Sequence, residues 1–266
     1  MKLCVFSKRL QSLGFTELGR ALRGIGVDGV DLTVRPGGHV EPEAVADRLP
    51  EAAALLRAEG VGIHMISTAI TAADERHART TVETAARLGI GFLKLGYFPY
   101  RGMGTLRQSL AEAKARLREL AACAAENGVF AGYHNHSGAT IGSNLVHLRE
   151  MIDDLDARAV GVYFDPAHAF VEGMSQGWKQ MLDDVGDRVR MLAVKDIAVA
   201  PDGRVTAVPI GQGVARWPQA VEALKKRLAE PPAVVSIHAE CDLPPAEALQ
   251  LAARETAYFR DLWGQT

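Results

Sequence analysis

Four strand-length apolar runs in this chain end in ionisable residues: Gly132-Tyr133-His134-Asn135-His136-Ser137, Tyr163-Phe164-Asp165-Pro166-Ala167-His168, Ala193-Val194-Lys195-Asp196 and Ser236-Ile237-His238-Ala239-Glu240. Side chains alternate across a strand, so residues two apart share a face. His134 thus goes with His136, Tyr163 with Asp165, Ala193 with Lys195, and His238 with Glu240. Imidazole nitrogens and carboxylate oxygens suit a divalent ion of the manganese, magnesium, zinc or cobalt kind. Such an ion polarises a carbonyl or a pair of vicinal oxygens, and a neighbouring carboxylate or imidazole can then remove the acidified C–H proton. That chemistry is proton transfer alpha to a carbonyl, as in aldose–ketose isomerisation or epimerisation. It equally drives elimination from a keto-sugar.

His64 ends an equivalent run, and Arg35 follows another in Val34-Arg35-Pro36-Gly37-Gly38-His39. Taken singly, each residue has a plainer role. A His or Asp at a strand end is commonly a cap or a loop hydrogen-bonder, and Asp165 before Pro166 is placed to cap the next turn. Joint occurrence on four successive strands resists that account, because a barrel bottom or outer surface does not collect ionisable groups only at C-terminal strand ends. His77 and His147 fall in expected helices with polar surroundings and read as solvated, while His39 is ambiguous. Gly211-Gln212-Gly213 lacks the G-x-G-x-x-G spacing of a dinucleotide site, and no P-loop occurs. It reads as a turn shaping the mouth after the seventh strand, with Gln212 able to point into it.

Bringing these residues together requires strands whose C-terminal ends converge, and the chain alternates short apolar strands with helical stretches. Strands are expected at 3–6, 29–34, 61–66, 91–96, 129–134, 159–165, 190–195 and 233–240, with helices at 16–23, 42–59, 72–88, 106–127, 145–155, 177–185, 217–228 and 245–263. Gly60, Gly89 and Gly128 each follow a helix, where a left-handed C-cap is wanted. Eight strand–helix units without a linker-like break predict an α/β fold, a single (β/α)8 TIM barrel over 1–266. The alternative, a doubly wound open sheet, needs a reversal in strand order.

Composition narrows the partners. The 266 residues carry a formal charge of −2, with 48% apolar and 23% charged residues, so a sizeable core is possible and no global field draws the chain to nucleic acid or anionic lipid. The N-terminal apolar run is too short for a signal peptide and reads as the first strand. No stretch approaches the roughly 18 apolar residues of a membrane span. Cys4, Cys123 and Cys241 are odd in number and far apart, which suits buried thiols in a reduced, cytoplasmic setting.

On the four strand-end clusters, the Gly128–Gly138 and Val162–Ala169 segments and the Pro209–Gly213 turn, the chain resembles the xylose isomerase-like TIM-barrel superfamily, its sugar phosphate isomerase/epimerase group, over essentially its whole length. The resemblance implies a metal held by Glu, Asp, His or Gln, and Glu on strands five to eight. By position these fall on His134, Asp165, Ala193 and Glu240: a departure, a match, a loss and a match. His168 falls where the family often has a His that contacts substrate. Lys195, on the face of the missing ligand, can occupy the metal's place or meet a substrate oxyanion. Members of the superfamily are often dimers or tetramers, and the sequence leaves the oligomeric state open.

These readings lead to an isomerase or epimerase acting on a ketose, cyclitol or keto-sugar through a metal-stabilised enediolate. Asp165, Glu240 and His134 are the expected ligands of a divalent ion. Glu240, His134 and Lys195 are the expected catalytic residues. Arg35, His64, His136, His168 and His238 are expected to contact the substrate, Arg35 through a phosphate or carboxylate tail. The rivals are a keto-glycoside eliminase on the same barrel, with His136 or His238 as general acid, and a non-catalytic carbohydrate-binding barrel. Too few ligands for a trinuclear site and the lack of a basic face argue against an endonuclease.

Overall fold

In the computed structural model, which describes residues 1–264, the strands are β1 (Lys2–Phe6), β2 (Gly29–Thr33), β3 (Gly62–Ser67), β4 (Phe92–Lys94), β5 (Phe130–His134), β6 (Val160–Phe164), β7 (Val189–Val194), β8 (Asp196–Val199), β9 (Val205–Val208) and β10 (Val234–Ile237). Gln265 and Thr266, included in the expected domain, lie outside the described residues. The barrel closes in the order β1-β10-β7-β6-β5-β4-β3-β2, every neighbouring pair parallel, which rules out the open sheet. The surrounding helices are α1 (Phe15–Ile25), α2 (Val45–Ala58), α3 (Ala78–Arg87), α4 (Leu106–Glu126), α5 (Leu145–Ile152), α6 (Pro166–Val185), α7 (Trp217–Arg227) and α8 (Pro245–Trp263). Among the described residues, no helix is long and apolar enough to cross a membrane.

Strand alternation sorts the side chains into two cores. Outward-facing residues such as Val30, Leu32, Val162 and Val235 pack under the helices, where α1 contributes Leu18 and Leu22. Inward-facing Cys4, Met65, Phe130, Tyr163, Met191, Ala193 and Val234 fill the barrel itself. Gly132 makes that filling possible, since a Cβ there would lie 2.3 Å from the Met191 sulfur. Above this apolar plug the inward positions become polar, with buried Asp31, Ser67, Lys94, His134, Asp165, Lys195 and His238. The plug is the floor on which the polar layer sits.

Three elements differ from expectation. The third helix begins at Ala78, six residues late, because Glu75 accepts the Thr71 amide at 3.0 Å and holds the preceding segment in turns. His77, with φ 69°, therefore precedes the helix instead of lying on it. The sixth helix begins at Pro166 instead of near Gly177, because Asp165 Oδ1 accepts the His168 amide at 3.1 Å and caps it. That helix breaks at Met174 (φ 45°, ψ −142°) and resumes. The seventh strand runs on into an unexpected β8–β9 hairpin, turned through Asp202-Gly203.

The Pro209–Gly213 turn is fastened from two sides. Asp196 Oδ2 accepts the Gly211 and Gly213 amides, both at 3.0 Å, and its Oδ1 accepts the Ala215 amide at 3.0 Å. A Cβ on Gly213 would lie 2.3 Å from Asp196 Oδ1. From α8, Glu255 accepts the Ile210 amide at 3.1 Å. Gln212 is exposed and does not line the barrel mouth, which corrects the expectation that it points inward.

Burial pushes the Glu255 carboxyl up to about 8, so it is folded as the neutral acid. An unfolded glutamate releases that proton near its ordinary value of 4.5. Between those values the native state holds more protons than the unfolded chain, so stability falls as pH rises, by on the order of 5 kcal/mol at most for this one group. Glu255→Gln should remove that slope: urea midpoints at pH 5 and pH 9 should diverge less in the variant than in the parent. Equal divergence would show that Glu255 folds charged.

Candidate active site

The polar layer opens into a cleft of about 110 Å³ at the C-terminal end of the barrel. Arg35, His134, His136, Lys195, His238 and Glu240 line it, all of them sites expected from the sequence. Phe6, Lys8, Ser67, Lys94, Tyr97 and Tyr163 complete its wall. Asp165 and His168 are buried just behind it, Asp165 within 3.0 Å of His134.

At the centre, the Lys195 ammonium lies 3.3 Å from Asp165 Oδ2 and 3.4 Å from Glu240 Oε2. Burial disfavours its charge, but the two carboxylates more than offset this and hold the amine above its usual range. Burial likewise opposes ionisation of Asp165. Lys195, His168 and His134 overcome it, and the carboxyl sits well below the usual range. Glu240 follows the same pattern, with burial outweighed by Lys195, His238 and Lys8. Lys8 Nζ adds a contact at 2.6 Å on the other oxygen of Glu240.

The histidines take defined tautomers from their partners. His134 Nε2 is 3.0 Å from Asp165 Oδ2; a carboxylate only accepts, so Nε2 carries the proton. His134 Nδ1 then accepts from the Tyr97 hydroxyl at 2.7 Å. Burial drives this imidazole down to about 3, so it is neutral, with both nitrogens engaged. His136 Nδ1 is 2.8 Å from the Ser137 carbonyl and must donate to it, leaving Nε2 as an acceptor. His168 packs against His136 at a ring separation of 3.9 Å and meets the Ser137 hydroxyl at 2.7 Å. His238 meets the Tyr163 hydroxyl at 2.8 Å and stacks on Phe6 at 4.4 Å, its Nδ1 lying 3.5 Å from Glu240.

Two expectations are corrected. His64 is not at the mouth: its Nε2 meets the Asp28 carbonyl at 3.2 Å, and its ring lies against Gly29 and Gly62, at the N-terminal starts of β2 and β3. Ser67, at the end of β3, takes the place at the cleft. The other correction concerns the expected metal ligands His134, Asp165 and Glu240. These residues do not enclose a space for a cation, because the Lys195 ammonium stands between the two carboxylates and His134 is spent on Asp165 and Tyr97. Among the described residues, no group of three or more His, Cys, Asp or Glu is placed to hold a metal ion. His39 has a structural role, bridging Thr33 and the Leu10 carbonyl.

Sequence reasoning passed over Lys94, although Phe92-Leu93-Lys94 shows the same apolar run ending in a charge as the other four strands. Lys8 lies in the short 3-10 turn (Ser7–Leu10) after β1 and Tyr97 in the loop after β4, where no spacing marks them.

Removing the central ammonium leaves two buried carboxylates without their shared partner. Lys195→Met should cost about 3–5 kcal/mol at neutral pH. Asp165, left without its cation, then has a folded pKa raised by burial, so the loss grows as pH rises and shrinks towards pH 4. Urea denaturation at pH 4.5 and pH 7.5 reads this directly. A loss for Lys195→Met that does not change with pH would mean the carboxylates are not charged partners.

A family model described as xylose isomerase-like TIM barrel matches residues 20–262. No curated protein matches the sequence. Solved structures share the fold at low identity. The 3-keto-D-glucoside 4-epimerase YcjR from E. coli, in its apo form, is 17% identical, with a TM-score of 0.72 over 98% of this chain and 99% of that one. The IOLI protein with a bound zinc atom is 18% identical, with a TM-score of 0.78 over 100% and 99%. The probable 3-DHS dehydratase AsbF from Bacillus anthracis is 15% identical, with a TM-score of 0.71 over 97% and 98%.

Proposed function

The chain belongs to the xylose isomerase-like TIM barrel family, and within it we propose an isomerase or epimerase that moves a proton alpha to the carbonyl of a small ketose, cyclitol or keto-sugar, with Lys195 supplying the positive charge. The observation that carries this reading is the buried ammonium held between two carboxylates in a polar cleft at the barrel mouth. An ammonium so placed donates to a carbonyl oxygen and strengthens that bond as the oxygen becomes an enediolate. No reorganisation is needed, because Asp165 already fixes the amine.

Glu240 is the base. Among the described residues it is the one carboxylate lining the cleft, and it lies beside the electrophile. His134 is less suited, since both its nitrogens are engaged and burial keeps it neutral. Its role is to orient Asp165, and through Asp165 the ammonium. Elimination shares the first step and then needs an acid for the leaving group. His136 offers none in its resting form, because its one ring proton goes to the Ser137 carbonyl. The likeness to both epimerases and a dehydratase fits a shared first step and leaves the second to the substrate.

Incubation with ketoses and keto-sugars in D2O should introduce deuterium alpha to the carbonyl, seen by proton NMR. Glu240→Gln should slow that exchange about 10²–10⁴-fold while the fold persists. Unchanged exchange in Glu240→Gln would remove it as the base, and a released leaving group in place of an epimer would identify a lyase. Two similar structures carry a metal, one zinc and one magnesium. Here a chelator should leave exchange unchanged; loss with EDTA and recovery on adding manganese would restore the metal-dependent reading.

A further inference from the structure

We propose that Arg35 and Lys94 form an oxyanion subsite in this cleft, so that the substrate carries a carboxylate or a phosphate group. The inference adds the substrate class to the proton-transfer reading, on which it rests, and it follows from an imbalance of charge. Four cations line the cleft, Lys8, Arg35, Lys94 and Lys195, but one carboxylate, Glu240. Glu240 contacts Lys8 and Lys195, and Lys195 also has Asp165. Arg35 and Lys94 are left over. Among the described residues, no carboxylate oxygen lies within 4.0 Å of either.

For Lys94 this is costly, because its side chain is only 5% exposed. Charged groups so buried are ordinarily paired. Its ammonium has the Tyr97 ring at 3.7 Å as a weak partner and otherwise faces the cleft. The strands on either side set Ser67 and Gly132 opposite it, neither of them charged. Arg35 is held for the same purpose. Its backbone closes a turn through the Gly38 amide at 2.8 Å, and its guanidinium lies over Phe6 at 5.6 Å. Phe6 in turn is stacked on His238, so Arg35 is positioned from the cleft floor upward. A planar guanidinium and a point-charge ammonium on one wall are a common pairing for carboxylate or phosphate oxygens.

The surrounding charges make the subsite respond to pH. Burial, then Arg35, lower the Lys94 amine; Asp31 below it and Glu240 across the cleft raise it, and Lys195 lowers it again. The result is about 7. Neutral His134 adds no charge from β5. An anion bound between Arg35 and Lys94 favours the ammonium, so binding above pH 7 must take up a proton.

The test uses two anions whose own charge is constant between pH 6 and pH 9, sulfate for a phosphate group and glycolate for a carboxylate. Isothermal titration calorimetry on the full chain should show saturable binding of at least one of them. Affinity should be flat below about pH 7 and fall towards tenfold per pH unit above it, with proton uptake approaching one per site at pH 8.5. Sulfate binding alone points to a phosphate-bearing substrate, and glycolate binding alone to a carboxylate. Lys94→Met should weaken the bound anion at least tenfold and abolish proton uptake. Arg35→Gln, at a half-exposed position, should weaken it similarly while leaving the pH dependence in place. No binding of either anion, or binding unmoved by both substitutions, overturns the subsite. Deuterium exchange into neutral ketoses without anion binding would sink the subsite and leave the proton-transfer reading standing; anion binding with no exchange into ketoses bearing a phosphate or a carboxylate would sink the proton-transfer reading and leave the subsite.

Discussion

The ammonium of Lys195, buried between Asp165 and Glu240, sets the terms for everything around it. A lysine cannot stay charged away from water unless anions surround it, and two buried carboxylates cannot stay charged side by side without a cation. The three groups therefore stabilise one another's charge and would be ruinous apart. Their mutual dependence explains why so much of the barrel mouth is spent on holding them. His134 and His168 approach Asp165, Lys8 and His238 approach Glu240, and Tyr97 and Ser137 fix the histidines in turn.

Asp165 shows how economically the fold uses one side chain. One oxygen caps α6 by accepting the His168 amide, and the other faces His134 and Lys195. The capping role of an Asp before Pro holds and still leaves the second oxygen for the charged cluster, because a carboxylate has two oxygens and the strand end aims them in different directions. The cap also places His168 on the first turn of α6, where it returns to the same carboxylate at 3.8 Å.

Beneath the polar layer the barrel is packed with Met65, Phe130, Met191 and Ala193. Ala193, which stands where a metal ligand is expected, is part of this plug. Lys195, two residues on, keeps the same inward parity, so this strand offers packing at Ala193 and a cation above it.

The barrel, its alternation of strands and helices, and the convergence of charged residues at one end were legible because they are periodic. Inward parity follows from the two-residue repeat of a strand, and helix stops follow from glycines at Gly60, Gly89 and Gly128, whose φ values are 80°, 74° and 65°. Contacts between strands are not periodic, and there the linear chain is silent. Nothing in the order of residues says that the end of β7 points its lysine between the carboxylates from β6 and β10, or that His64 lies at the wrong end of its strand to meet them. Lys94 was visible as a charge ending an apolar run, but its lack of an acidic partner could be seen only once every neighbouring strand was in place. Residue type and spacing determined which groups could do chemistry and the face they would share. Tertiary structure decided which of them neutralise one another and which are left to meet a ligand, because charge pairing depends on distances across the barrel that strand parity does not encode.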